Sequence, residues 1–223
     1  MKFLLLSDLH GHLPSISQKC DAILIAGDIM PAYDHHFVFQ RSWFYREFLP
    51  WACGQKCDKV IFIAGNHDFM FQREIPNINF TDKLVYLQHE SYSYQGLRIF
   101  GTPYQPVFCD WAFNVGDDKR EILFSQIPKG VDIIISHAPP FNCVDKTKAY
   151  PGYPSSHVGC KFLRKYIEEN QPQLCLCGHI HEAFGLDYIG KTLCVNASYV
   201  DSTYKRRKNA DPTGIFFETI ARN

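Results

Sequence analysis

The 223-residue sequence has no net charge, since 23 basic residues offset 23 acidic ones. Such a chain has no overall field to draw it to long nucleic acid or an anionic membrane, so any anion it binds must be recognised locally. No stretch approaches the ~18 consecutive apolar residues of a membrane span. The apolar start of "MKFLLLSDLHGH" meets Asp8 and His10 too soon for a signal-peptide core and has no small-residue cleavage site, so a secretory leader is not expected. The nine cysteines form no paired CxxC framework: Cys53 and Cys57 are four apart, and Cys175 and Cys177 alternate within an apolar run. That excludes a thiolate zinc site and leaves buried, reduced thiols in a cytoplasmic protein as the expectation. Repeats and low-complexity tracts are also missing, which predicts one domain over residues 1–223.

What is present is apolar and aromatic. A 46% hydrophobic and 15% aromatic content suffices for a sizeable core. Five short, nearly continuous apolar runs read as strands buried on both faces. "KFLLLSDLH" delivers Asp8, "AILIAGD" Asp28, "VIFIAGNHD" Asn66, "VDIIISH" His137 and "LCLCGHIH" His179. Helices are predicted at Phe37 to Trp51, Asp117 to Gln126 and His157 to Glu169, the last with Phe162, Leu163, Tyr166 and Ile167 on one face and a stop at Asn170 and Pro172. Further strands are predicted at Leu84 to Gln88, Leu97 to Gly101, Thr192 to Val195 and Ile215 to Thr219. The fold class that follows is α/β, with two mixed sheets packed together and helices outside.

Ligands of open α/β sheets bind beyond the carboxyl ends of strands. Asp8, His10, Asp28, Asn66, His67, Asp68, His137, His179 and His181 therefore converge on one site, although each alone would pass for an ordinary turn residue. Hard oxygen and imidazole donors without thiolate suit manganese, iron or zinc.

The ordered blocks "SDLH", "AGD", "GNHD", "SHAP" and "GHIH" resemble the calcineurin-like metallophosphoesterase superfamily. Longer stretches, "GTPYQPVFCDWAFN", "IPKGVDIIISHAPP", "GHIHEAFG" and "VNAS", resemble its metallophosphoesterase-domain (MPPED) branch. The resemblance implies a four-layer α-β-β-α sandwich and two divalent cations, Mn2+ favoured and Fe or Zn open. It implies that Asp8, His10 and His181 hold the first cation, that Asn66, His137 and His179 hold the second, and that Asp28 bridges both. Two such cations activate a water for in-line attack on phosphorus. His67, aimed by Asp68, would stand free to donate a proton to the leaving group or stabilise its charge. The branch implies a phosphodiesterase acting on small or cyclic nucleotide diesters.

The arginine-containing GDxVDRG extension of the superfamily's protein phosphatases has no counterpart in "GDIMPAYDHH", which argues against a phosphoprotein substrate. A phosphomonoesterase or a nuclease of the same superfamily stays open, as does a non-catalytic metal-binding scaffold, although a scaffold would commonly lack a ligand or His67. His12, Tyr104, Trp111 and Asn196 are the expected substrate contacts. "YKRRKN", Tyr204 to Asn209, reads as a solvated loop, His35 and His36 as surface residues, and the aromatic segment Phe37 to Trp51 as core. Whether Gly65 needs a positive φ is left to the structure.

Overall fold

Alternate residues of the central strands serve different cores, as the period of two requires. A computed structural model describes residues 1–74, 81–207 and 215–219. In chain order its elements are β1 (Lys2–Leu6), β2 (Ala22–Ala26), α1 (Phe37–Trp43), a π turn (Phe44–Phe48), α2 (Leu49–Gly54), β3 (Lys59–Ile63), α3 (Phe69–Glu74), β4 (Leu84–Tyr86), β5 (Glu90–Tyr94) and β6 (Leu97–Thr102). There follow α4 (Asp117–Ser125), β7 (Ile133–Ser136), α5 (Lys161–Asn170), β8 (Leu174–Cys177), a 3-10 turn (His181–Ala183), β9 (Gly185–Ile189), β10 (Thr192–Asn196) and β11 (Ile215–Glu218).

One sheet has the order β11-β1-β2-β3-β4 and the other β5-β6-β7-β8-β10-β9. Each has a parallel centre and an antiparallel strand at one edge or both, so both are mixed. Phe3, Leu5, Leu24, Ile61 and Ile63 of the first sheet meet Ile99, Ile133, Ile135, Leu176 and Val195 of the second in an inner core. Their neighbours Leu4, Leu6, Ile23, Ile25, Val60 and Phe62 point the other way, onto Phe44, Phe48 and Phe71 of the helical layer. Phe100, Ile134, Cys175 and Cys194 of the second sheet face Phe124, Leu163, Tyr166 and Ile167. The result is an α-β-β-α sandwich, as the sequence predicts.

Several boundaries differ from the sequence reading. The helix from Phe37 runs on to Gly54, with Gln40, Phe44, Phe48 and Ala52 buried at four-residue spacing. Pro50 falls in the first turn of α2, just after the π turn, where an interrupted hydrogen-bond ladder tolerates its missing N–H. Helix α5 begins at Lys161 rather than His157, because His157 Nδ1 is held 2.6 Å from Asp145 Oδ1 and Cys160 Sγ caps the helix by accepting from Leu163 N–H. Strands β5 and β9 and helix α3 were not predicted. The two strands lie at sheet edges with largely exposed side chains, so they lack the apolar run that marks the central ones. Of the basic run, Lys208 and Asn209 lie outside the described residues.

Candidate active site

The chain turns sharply where the central strands end. Asp8, His10, Asp28 and His179 have φ of 51°, 44°, 53° and 67°. Few residues other than glycine hold such values, and the strain they carry concentrates at functional sites. Backbone bonds fix the turns together: Asp8 N–H donates to Gly27 O at 2.9 Å, His10 N–H to Asp28 O at 2.9 Å and Gly178 N–H to His137 O at 3.0 Å. Gly65 is not in the left-handed region, which settles the question left open above. Its need is for space, since a Cβ there would collide with the carboxylate and backbone nitrogen of Asp28, and one on Gly178 would collide with Asp8 and Ser7.

The turns bring the donors from both sheets together. Asp28 Oδ2 stands 3.5 Å from His10 Nε2 and 3.5 Å from His137 Nε2, a shared position. His181 Nε2 lies 3.3 Å from His10 Nε2 and 3.2 Å from Asp8 Oδ1. His137 Nε2 and His179 Nδ1 both reach Asn66 Oδ1, at 2.8 and 2.7 Å. In three overlapping groups, Asp8 with His10 and His181, His10 with Asp28 and His67, and Asp8 with Asp28 and His137, the ligand atoms lie within 4.8 Å of one another. This set of carboxylate and amide oxygens and ring nitrogens fits divalent cations. The outer contacts fit them too. His137 Nδ1 pairs with Ala26 O at 2.8 Å and His181 Nδ1 with Asp201 O at 2.9 Å, the backbone partners that orient metal-binding imidazoles. Ser198 Oγ donates to Asp8 Oδ2 at 2.8 Å.

Protonation in the cation-free protein follows from burial and the two acids. Burial would raise the carboxyls of Asp8 and Asp28, but His181 and His137 around the first and His137, His67 and His10 around the second hold both well below the usual carboxylate range. Burial brings His10 down to about 3 against the pull of Asp28 and Asp8, and with repulsion from His137 it brings His179 down to about 3, so both are neutral and available as ligands. His137 goes the other way, to about 9, because Asp28 and Asp8 outweigh its burial. Cation binding must displace that proton.

A cleft of about 590 Å³ opens beside these donors, between His10, His12 and His67 and the rings of Tyr33, Trp43, Trp111 and Tyr204. Trp111 packs on His67 at 4.3 Å between ring centroids, and Tyr204 stands edge-on to His10 at 4.8 Å. His12 lies at the rim, its Nε2 3.3 Å from Tyr204 O. Two expected substrate contacts are corrected. Asn196 is buried and holds the loop after β8, donating from Nδ2 to the carbonyls of Val144, Gly178 and Ile180, while its Oδ1 accepts from Ser198. Tyr104 packs between the two helical cores, against Phe113 and His89, away from the cleft.

The surroundings of His67 also differ from expectation. Asp68 does not aim it: the Asp68 carboxylate accepts from the backbone N–H of Ile29, Met30 and Gly65, at 3.2, 2.9 and 2.8 Å, tying the loop after β2 to the loop after β3. His35, read as a surface residue, instead places Nε2 2.8 Å from His67 Nδ1. Gln40 donates from Nε2 to His67 O at 2.6 Å, and His67 N–H donates to Asp28 Oδ1 at 2.8 Å. Burial holds His67 below the ordinary histidine value, partly opposed by Asp28. Gln40 carries a sequence signal in hindsight, a polar residue on the buried stripe of α1. His35, Tyr33 and Tyr204 carry none.

The profile of the calcineurin-like phosphoesterase family matches residues 1–183. The chain belongs to that family. Its members are metal-dependent phosphoesterases with a dinuclear centre, so this protein is a hydrolase of that kind, and its His and Asp groups offer the ligands. Human metallophosphoesterase domain-containing protein 1 is 29% identical over 92% of this chain and 68% of its own length, and the mouse protein gives the same values. Two solved structures share the fold. TT1561 of Thermus thermophilus aligns with a TM-score of 0.56 at 15% identity, covering 88% of each chain. Phosphopantetheinyl hydrolase from Mycobacterium tuberculosis aligns with 0.53 at 13%, covering 93% of this chain and 92% of its own. Among the described residues, no helix of this family member is long and apolar enough to cross a membrane.

Proposed function

We propose that this phosphoesterase is a phosphodiesterase acting on small diesters with an aromatic substituent, such as linear or cyclic nucleotides. The observation that carries the reading is the composition of the cleft: four aromatic residues line it together with His67, and among the described residues no lysine or arginine does. A monoester dianion calls for extra fixed cations at the mouth. A diester carries one negative charge, and its second substituent gains from stacking.

Asp8, His10 and His181 would hold one cation, Asn66, His137 and His179 the other, and Asp28 both. When bound, the pair supplies Lewis-acid charge and an activated water. Mn2+ is the favoured occupant on donor hardness, with Fe or Zn as alternatives. His67 presents a ring N–H to the oxygen on which leaving-group charge develops, and Trp111 fixes the substituent beside it. His12 stands at the rim for the phosphate. The nine free thiols favour a reducing, cytoplasmic setting.

The test compares bis(p-nitrophenyl) phosphate with methyl p-nitrophenyl phosphate. Trp111→Ala is expected to raise KM for the first by roughly tenfold, the scale of one lost stacking contact, and to leave the second within about twofold. Equal effects on both, or faster hydrolysis of p-nitrophenyl phosphate than of either diester, would sink the reading.

A further inference from the structure

The two histidines of "DHH" lie in different environments. The His36 side chain is 92% exposed and pairs with Asp34. His35 turns inward, its ring edge-on to Trp111 at 5.2 Å and tilted against Phe69 at 5.4 Å, with Nε2 2.8 Å from His67 Nδ1. Among the described residues this is the sole hydrogen bond to the His67 ring, because Gln40 and Asp28 hold its backbone and the Asp68 carboxylate is taken up by three backbone N–H groups.

The 2.8 Å N···N contact holds one hydrogen between the rings, and in the neutral pair the ring that supplies it decides what the free end of each offers. If His67 donated, its Nε2 would be bare and could give nothing to a leaving group. If His35 donates, His67 Nδ1 accepts and the His67 hydrogen must sit on Nε2, the opposite side of a ring that lines the cleft.

We propose that His35 is a positioning residue that fixes His67 as its Nε2–H tautomer, so that this N–H can donate a hydrogen bond to the leaving-group oxygen. The proposal rests on the reading of His67 given above. It assigns the orienting role to a neutral imidazole in place of a carboxylate, and no proton need leave His67 for it to operate. Edge-on and tilted packing against Trp111 and Phe69 holds the His35 ring, so the tryptophan assigned to the substrate also braces the pair behind it.

Two variants separate the hydrogen bond from the packing. His35→Phe keeps a ring against Trp111 and Phe69 and loses the donor, whereas His35→Gln keeps an N–H that can reach. Nitrogen-15 NMR of histidine-labelled protein reads the tautomer directly. The expected result is a bare, accepting Nδ1 on His67 in wild type and in His35→Gln, and a mixture of tautomers in His35→Phe. With manganese supplied, His35→Phe should lower kcat for diphenyl phosphate, whose leaving group is basic, by roughly tenfold, the worth of one good hydrogen bond. Its kcat for bis(p-nitrophenyl) phosphate and both KM values should change by less than about twofold, and His35→Gln should restore most of the loss. An Nδ1–H on His67 in wild type, an unchanged tautomer in His35→Phe, or equal losses on both esters would overturn the assignment. If wild type hydrolyses neither ester, the phosphodiesterase reading fails, and the NMR spectra alone decide the role of His35.

Discussion

Asp68→Asn tests the organisation of the site at the point where sequence and geometry diverge. The wild-type carboxylate is buried and meets three donors: Oδ1 accepts from Met30 N–H, and Oδ2 from Ile29 N–H and Gly65 N–H. An asparagine has one oxygen. In its better orientation it keeps the two bonds at Oδ2 and turns its NH2 toward Met30 N–H, leaving a buried donor unsatisfied at a cost of about 1–3 kcal/mol. Part of this is offset, because burial and the neighbouring charge of Asp28 push the Asp68 carboxyl up to about 7 and the amide removes that repulsion. A net loss of roughly 1–2 kcal/mol is expected, and roughly 3–5 kcal/mol for Asp68→Ala, which strands all three N–H groups. The loops that carry Asp28 and Asn66 lose their tie, so manganese affinity should fall about 10- to 100-fold, as for other outer contacts of metal sites. Urea unfolding of the chelated protein reads the first effect and calorimetric titration with manganese the second. The ratio of rates on diphenyl and bis(p-nitrophenyl) phosphate should stay at the wild-type value. Wild-type stability and metal affinity, combined with a selective loss on diphenyl phosphate, would show that Asp68 acts through His67 and would refute the reasoning.

Three further outcomes are expected. His67→Ala should slow diphenyl phosphate hydrolysis by about 10²–10⁴-fold and bis(p-nitrophenyl) phosphate far less, measured as kcat with manganese saturating. Gln40→Leu removes the donor to His67 O and the acceptor for Met70 N–H, so it should cost about 2–4 kcal/mol in urea unfolding and lower kcat with KM little changed. The chelated protein should be most stable near neutrality. His10 and His179 are neutral in the fold down to about pH 3, so their contribution is lost as pH falls below the ordinary histidine value of about 6.5. His137 keeps its proton up to about pH 9, so its contribution is lost as pH rises through that range. Melting temperatures from pH 4 to 10 with chelator check this, and a profile that climbs steadily to pH 10 would contradict it.

The layers and the convergence of donors were legible because they follow from period and chemistry along short stretches. A run such as Val60 to Ile63 has to be buried on both faces, and the residues that follow it have to stand at the strand's carboxyl end. What the sequence hid depends on contacts between loops far apart in the chain. Whether His35 faces solvent or His67 is set by the path from Asp28 to α1, 32 residues away from its partner. Asn196 and Asp68 have the chemistry of site residues, yet their polar atoms are used up by backbone groups that no spacing rule reveals. Edge strands β5 and β9 pair on one side and expose most of their side chains, so their composition resembles that of loops.

The central claim, a dinuclear-metal phosphodiesterase, is tested most directly by hydrolysis of bis(p-nitrophenyl) phosphate beside p-nitrophenyl phosphate, with manganese, with chelator, and with His67→Ala. The account predicts activity that chelation abolishes, higher kcat/KM for the diester, and a reduced rate in the variant. Faster turnover of the monoester would contradict the diesterase assignment, and no turnover with manganese, iron or zinc would contradict catalysis at this site.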